Sequence, residues 1–189
     1  PGDFRELWHR PPTQPTQAMK AALSAPAQNA TRGGPTTRAL SVLDMAGLAQ
    51  KHGSVVSHVR IADSPEKLHA TRIAAGEAKL VLACDILTGV GYESIAKMQR
   101  GVSKALVNTG LVMPADFTRK PALQCPLGSM EREISDAVAT GDAEFFDAST
   151  LATRLMGDSI ATNLFMVGYA YQRGLLPLSE ASILRAIEL

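Results

Sequence analysis

The stretch richest in polar chemistry runs from Asp44 to Arg60. Asp44 lies near the end of a short apolar run. Gly47-Leu48-Ala49-Gln50-Lys51-His52-Gly53 follows as a polar segment bracketed by glycines, and then an alternating run carries Ser57, His58 and Arg60. Gln50, Lys51 and His52 offer hydrogen-bond donors to an anionic group, and Ser57, His58 and Arg60 would extend that surface. In doubly wound sheets such loops lie at strand carboxyl ends and face the ligand crevice. A solvated turn whose glycines only permit tight geometry accounts for the same residues at least as well. Both readings stay open on the residues alone.

The other motifs are incomplete. Gly89-Val90-Gly91-Tyr92-Glu93-Ser94 begins like a dinucleotide fingerprint but ends in Ser94 where a third glycine belongs. The following strand ends at Asn108 and not at an acidic residue, so a tight turn into a helix is the better reading. Gly157-Asp158-Ser159-Ile160-Ala161 has the outline of a hydrolase elbow. That elbow needs a strand leading into the serine, and here a helix leads in. His52 and His58 are not spaced for one helical face and have no cysteine nearby, which argues against zinc. Cys84 sits in an apolar run and reads as an inert buried thiol, while Cys125 has no activating neighbour. No Gly-Lys-Ser/Thr phosphate loop occurs in the chain.

The composition narrows the classes. The 189 residues include 19 Lys+Arg against 18 Asp+Glu, a formal net charge of +1, which leaves no cation surplus for a nucleic-acid duplex. A hydrophobic fraction of 46% with 20% charged residues fits a globular protein with a packed core. No run approaches the ~18 apolar residues of a membrane span, and no signal peptide is visible. Two cysteines are too few for an iron–sulfur cluster or a structural zinc site and fit a reducing, cytoplasmic setting.

These residues are positioned by a regular alternation of elements from residue 40 onward. Strands are expected over 40–45, 54–61, 80–84, 104–108 and 144–147. Helices are expected after Ser64-Pro65-Glu66, where a cap, a first-turn proline and an acid coincide, and over 92–100, 129–139, 150–156, 159–173 and 180–189. Asp158 and Ser179 are placed to cap the last two helices, with Gly174 as the residue that ends the first of these. Strands alternating with helices imply an α/β fold, a three-layer α/β/α arrangement around a mainly parallel, doubly wound-like sheet. The 159–173 helix is apolar on nearly every face, so its second side would meet another chain or domain. Residues 1–39 differ: prolines cluster there among Gln, Thr and Ala, and they read as an N-terminal arm or linker ahead of a domain over 40–189.

Several blocks of this sequence resemble a known family. Leu43-Asp44-Met45-Ala46-Gly47-Leu48-Ala49-Gln50-Lys51-His52-Gly53, running into Ser57-His58-Val59-Arg60-Ile61, is similar to the gamma-type region (domain III) of 2-oxoacid:ferredoxin oxidoreductases. The indolepyruvate ferredoxin oxidoreductase branch is the nearest in appearance. The resemblance continues through Ile73-Ala74-Ala75-Gly76-Glu77-Ala78, Val107-Asn108-Thr109 and Ala115-Asp116-Phe117-Thr118, and ends with Gly157-Asp158-Ser159-Ile160-Ala161-Thr162-Asn163-Leu164-Phe165-Met166 and Gly168-Tyr169-Ala170.

The resemblance implies a reaction carried out by a larger assembly. Such enzymes decarboxylate a 2-oxoacid on thiamine diphosphate, pass two electrons through 4Fe-4S clusters to ferredoxin, and transfer the acyl group to coenzyme A. It also implies that thiamine diphosphate, magnesium and the clusters belong to other domains, so this chain is expected to bind none of them alone and to show no turnover. By the same analogy Gln50, Lys51, His52, Ser57, His58 and Arg60 would face an interface or coenzyme A. The expected partners are the thiamine-binding and iron–sulfur domains in an oligomer, with neither nucleic acid nor membrane. The family opens this domain with an apolar strand and a Gly-rich turn. Here 30–40 offers Gly33-Gly34-Pro35 without that strand. Either the strand lies outside the chain or residues 1–39 replace it, and a marginally stable or partner-dependent chain is expected. The reading from another class is a free-standing nucleotide or coenzyme A binding module.

Overall fold

The computed structural model describes residues 39–46, 55–110 and 126–188. These fall into two compact units: one contains 39–43, 59–71 and 177–188, the other 44–46, 55–58, 72–110 and 126–176. Two strands, β1 (Ala39–Ala46) and β2 (Val55–Ala62), pair with each other as a sheet of their own. Only residues 47–54 separate them, fewer than the dozen or so that a parallel crossover requires. The parallel sheet is built instead from β3 (Leu80–Ala83), β4 (Lys104–Asn108) and β5 (Ala143–Phe146), in that order. Leu82 lies opposite Leu106, and Leu106 opposite Glu144.

The central strand explains the layering. Successive side chains of a strand point to opposite faces, and in β4 both faces are apolar. Ala105 and Val107 join Ala83, Ile86, Met98, Ile134 and Val138 in one core cluster. Leu106 joins Ala148, Met166 and Ala170 in the other. Short helices α1 (Ile86–Gly89) and α2 (Tyr92–Ile95) and the longer α3 (Leu127–Val138) supply the first cluster. Helices α4 (Ala148–Met156) and α5 (Thr162–Gln172) supply the second. A sheet covered on both faces is the three-layer α/β architecture expected from the alternation of elements. Phe146 anchors the second layer, with its ring centroid 6.4 Å from that of Phe165 and 4.6 Å from that of Tyr169.

Helix boundaries follow local chemistry. The Asp158 carboxylate accepts from the Ile160 N–H in the single 3-10 turn Ser159–Ala161 that leads into α5. At the far end Gly174 adopts φ +69°, its N–H donates to Tyr171, and the Leu175 N–H folds back onto the Ala170 carbonyl. Ser179 caps α6 (Glu180–Ile187) in the other unit by accepting from the Ser182 N–H.

One expected helix is absent. After Ser64-Pro65-Glu66 the chain makes a single 3-10 turn, Pro65–Lys67, and no further helix before β3. The capping signal is present, but the residues behind it are almost all exposed. A helix of that length without a face to bury is not stable by itself.

Candidate functional site

Gln50, Lys51 and His52 lie outside the described residues. Ser57, His58 and Arg60 stand on β2, where their surroundings differ. Ser57 is exposed, and its hydroxyl donates to the Asp44 carboxylate at 2.9 Å. His58 is 2% exposed, and its Nδ1 accepts the Ile73 N–H at 3.0 Å. Arg60 is half-buried. Of the two faces that alternation predicts for β2, the one carrying His58 is the more buried at that point, while Val55 is left 59% exposed.

The parallel sheet presents a second candidate at the carboxyl ends of its strands, where ligands bind in open α/β sheets. The residues there are Asp85 after β3, Asn108 at the end of β4, and Asp147 after β5. Helix amides following such strands form ready anion sites, but here the protein's own side chains occupy them. Asp85 accepts from the Leu87 N–H at 3.1 Å and from the Thr88 hydroxyl at 3.0 Å. Asp147 accepts from the Thr150 N–H at 2.8 Å and from the Thr150 hydroxyl at 2.6 Å. The Thr150 hydroxyl, followed by its amide, holds the Asp147 carboxyl below the ordinary carboxylate range.

Asn108 ties this end of the sheet together. It is 2% exposed. Its Oδ1 accepts the Ala148 N–H at 2.9 Å and the Gly110 N–H at 3.0 Å. Its Nδ2 donates to the Cys84 carbonyl at 3.0 Å and to the Ser149 hydroxyl at 2.9 Å. One amide side chain therefore joins the ends of β3 and β4 to the first turn of α4. Gly110 lies so close that a Cβ added to it would stand 2.6 Å from Asp147 Oδ1 and 2.9 Å from the Ser149 Cβ. The amides of Ala148 and Thr150 are thus committed, and the Asp147 carboxylate stands beside them. This arrangement braces the sheet and repels an incoming phosphate.

The remaining motifs resolve as structure. Gly89 would bring a Cβ to 3.0 Å from that of Ala83, so glycine is there for packing. Ser94 donates to the Thr88 carbonyl at 2.9 Å and closes the turn between α1 and α2. Ser159 follows a helix and a capping aspartate, with no strand leading in. The Cys84 thiol is pushed up to about 11, first by burial and then by neighbouring Asp85, which suits an unreactive group. Glu144 accepts from the Tyr169 hydroxyl at 2.7 Å and from Arg173 Nε at 2.9 Å, a polar clasp between β5 and α5. These donors, Tyr169 foremost, hold the Glu144 carboxyl below its usual range.

The thiol count does not fit an iron–sulfur cluster held by this chain's own cysteines. A 4Fe-4S cluster takes four thiolates, and the chain has two cysteines. Among the described residues no group of three or more His, Cys, Asp and Glu side chains could hold a metal ion.

Sequence reasoning placed Asn108 only as the end of a strand and missed its role. A signal was there: a polar residue closing the apolar run Ala105-Leu106-Val107 must find partners for every buried donor and acceptor.

A model of the family described as pyruvate ferredoxin/flavodoxin oxidoreductase matches residues 30–189. A search of curated proteins found no match to the chain.

Proposed function

This chain belongs to the pyruvate ferredoxin/flavodoxin oxidoreductase family, and on that premise we propose that it is the gamma-type domain of a cytoplasmic enzyme of the indolepyruvate branch. In this reading the complete enzyme oxidatively decarboxylates an aryl 2-oxoacid to its acyl-CoA and reduces ferredoxin. Thiamine diphosphate with magnesium and the 4Fe-4S clusters sit in other domains. The present domain contributes a docking wall along which coenzyme A gains access, with Gln50, Lys51, His52, Ser57 and Arg60 as the residues proposed to line that surface; His58, expected there with them, is only 2% exposed and is left out of it. The carrying observation is that the sheet's ligand-binding end is filled by its own side chains. Asn108 and Asp147 take the helix amides a nucleotide would need, which counts against a free-standing nucleotide-binding module.

An exposed apolar face supports docking. Leu151 is 40% exposed and Leu155 70% on α4, Ile160 is 53% exposed in the turn, and Leu164 is 39% exposed on α5. Thr162, Met166 and Ala170 are the buried residues of α5, so the helix's second side, expected to meet another chain or domain, is proposed to be the one carrying Ile160 and Leu164. Large apolar side chains left exposed on successive elements in this way suit an interaction site. The occupant proposed is an apolar face of the enzyme's thiamine-binding domain.

Replacing Leu155 and Ile160 together by Asp tests this. Loss of a central interface anchor typically costs about 2 kcal/mol or more, or roughly thirtyfold in affinity. The double variant should bind the thiamine-binding portion of the enzyme at least about thirtyfold more weakly, measured by calorimetry, with an unchanged circular dichroism spectrum. Equal affinity with the fold intact would remove this face from the proposal.

A further inference from the structure

His58 is a buried titratable group that the docking reading does not use. Its neutral ring accepts at Nδ1, so its proton sits on Nε2. Nε2 is buried and has no hydrogen-bond partner among the described residues. The ring is thus held at one nitrogen, through the Ile73 N–H at 3.0 Å.

That bond has a definite mechanical place. Ile73 begins a strap of residues 73–78 leading into β3. The far part of the strap is fastened to the turn after α2, with Gly76 N–H on the Ala96 carbonyl and Ala78 N–H on the Lys97 carbonyl, both at 3.0 Å. The near end is fastened to β2 by His58. A proton arriving at Nδ1 replaces the acceptor lone pair with an N–H that faces the Ile73 N–H. Two donors then oppose each other, and the bond is lost.

The surrounding charges disfavour a cation at this point. Lys97 and Arg72 are the positive neighbours and Glu93 the negative one. The Glu93 carboxylate is already engaged, 2.7 Å from Arg72 Nη2 and 3.9 Å from Lys97 Nζ. Burial, then Lys97, then Arg72 lower the His58 pKa below its ordinary 6.5.

We propose that His58 is a proton-operated latch: neutral, it fastens residues 55–58 of β2 to the 73–78 strap, and protonated, it lets them go. Stability rises with pH wherever the unfolded chain binds more protons. With the folded value depressed, that window lies below the unfolded value of about 6.5. The latch is at full strength above that pH and is lost as pH falls through the folded-state value. The inference stands on the β2–strap geometry and holds whatever the chain docks against.

Amide hydrogen exchange at Ile73 in the full 189-residue chain is the direct readout. After correction for the intrinsic pH dependence of exchange, protection at Ile73 should fall at least tenfold between pH 7.5 and pH 5 while β4 amides stay protected. His58→Asn keeps an acceptor near Nδ1 and cannot titrate, so its Ile73 protection should be pH-independent. Lys97→Gln removes the strongest positive neighbour and should move the transition to higher pH, a shift that a merely structural histidine would not show. Constant protection in the parent chain, an equal pH-dependent loss in His58→Asn, or an unmoved midpoint in Lys97→Gln would each overturn the latch.

Discussion

Asn108→Ala is expected to lower the unfolding free energy by about 3–5 kcal/mol, the largest loss from any single truncation at the sheet's carboxyl end. The change removes little volume. It strands the amides of Gly110 and Ala148 and the carbonyl of Cys84, all of which bond to that one side chain. Each buried group left without a partner costs about 1–3 kcal/mol. Whole domains are stable by only about 5–15 kcal/mol, so the variant should unfold at much lower urea. Asn108→Asp keeps the acceptor for Gly110 and Ala148 but buries a carboxylate against the Cys84 carbonyl and near Asp147, and should be at least as damaging as the alanine variant. A loss under about 1 kcal/mol for the alanine variant would show that water replaces the asparagine.

Gly110→Ala should be the next most damaging change, at about 1–3 kcal/mol and upward, through overpacking and not through a lost bond. Its Cβ would stand 2.6 Å from Asp147 Oδ1, closer than real Cβ contacts come. The neighbours are a helix cap and the first turn of α4, which is held to Asn108 by the Ala148 N–H at 2.9 Å. Relieving the clash therefore pulls on the same bracket. The two variants should be non-additive in a double-mutant cycle, with the second change costing clearly less once the first is present. Full additivity in urea titrations would mean that the strand end and the helix cap respond independently.

Much of this bracket's setting is legible in the residues. The run Lys104-Ala105-Leu106-Val107-Asn108 reads as a strand, and its apolar residues on both faces fit the central, buried place it takes in the sheet. Asp158, Ser179 and Gly174 announce helix ends through side-chain and backbone chemistry that needs no tertiary partner. Other features depend on contacts between distant segments. Alternation over Val55–Ile61 defines two faces, but the partner of His58 is Ile73, beyond any local pattern. Ser64 and Ser179 carry the same capping signal in the sequence, yet only Ser179 makes its cap bond, and only it precedes residues with a side to bury, Ser182 and Ala186. Asn108 could be placed on its strand but not assigned its distant partners Cys84, Ala148 and Ser149, which lie 24 to 41 residues away along the chain.

As proposed, this family member docks in a larger enzyme and has no turnover by itself. The most direct test supplies the purified chain with a 2-oxoacid, thiamine diphosphate, magnesium, coenzyme A and oxidised ferredoxin, and follows ferredoxin reduction. No reduction is expected from the chain alone, and full turnover once the thiamine-binding and cluster-binding domains are added. Ferredoxin reduction by this polypeptide without those domains would contradict it.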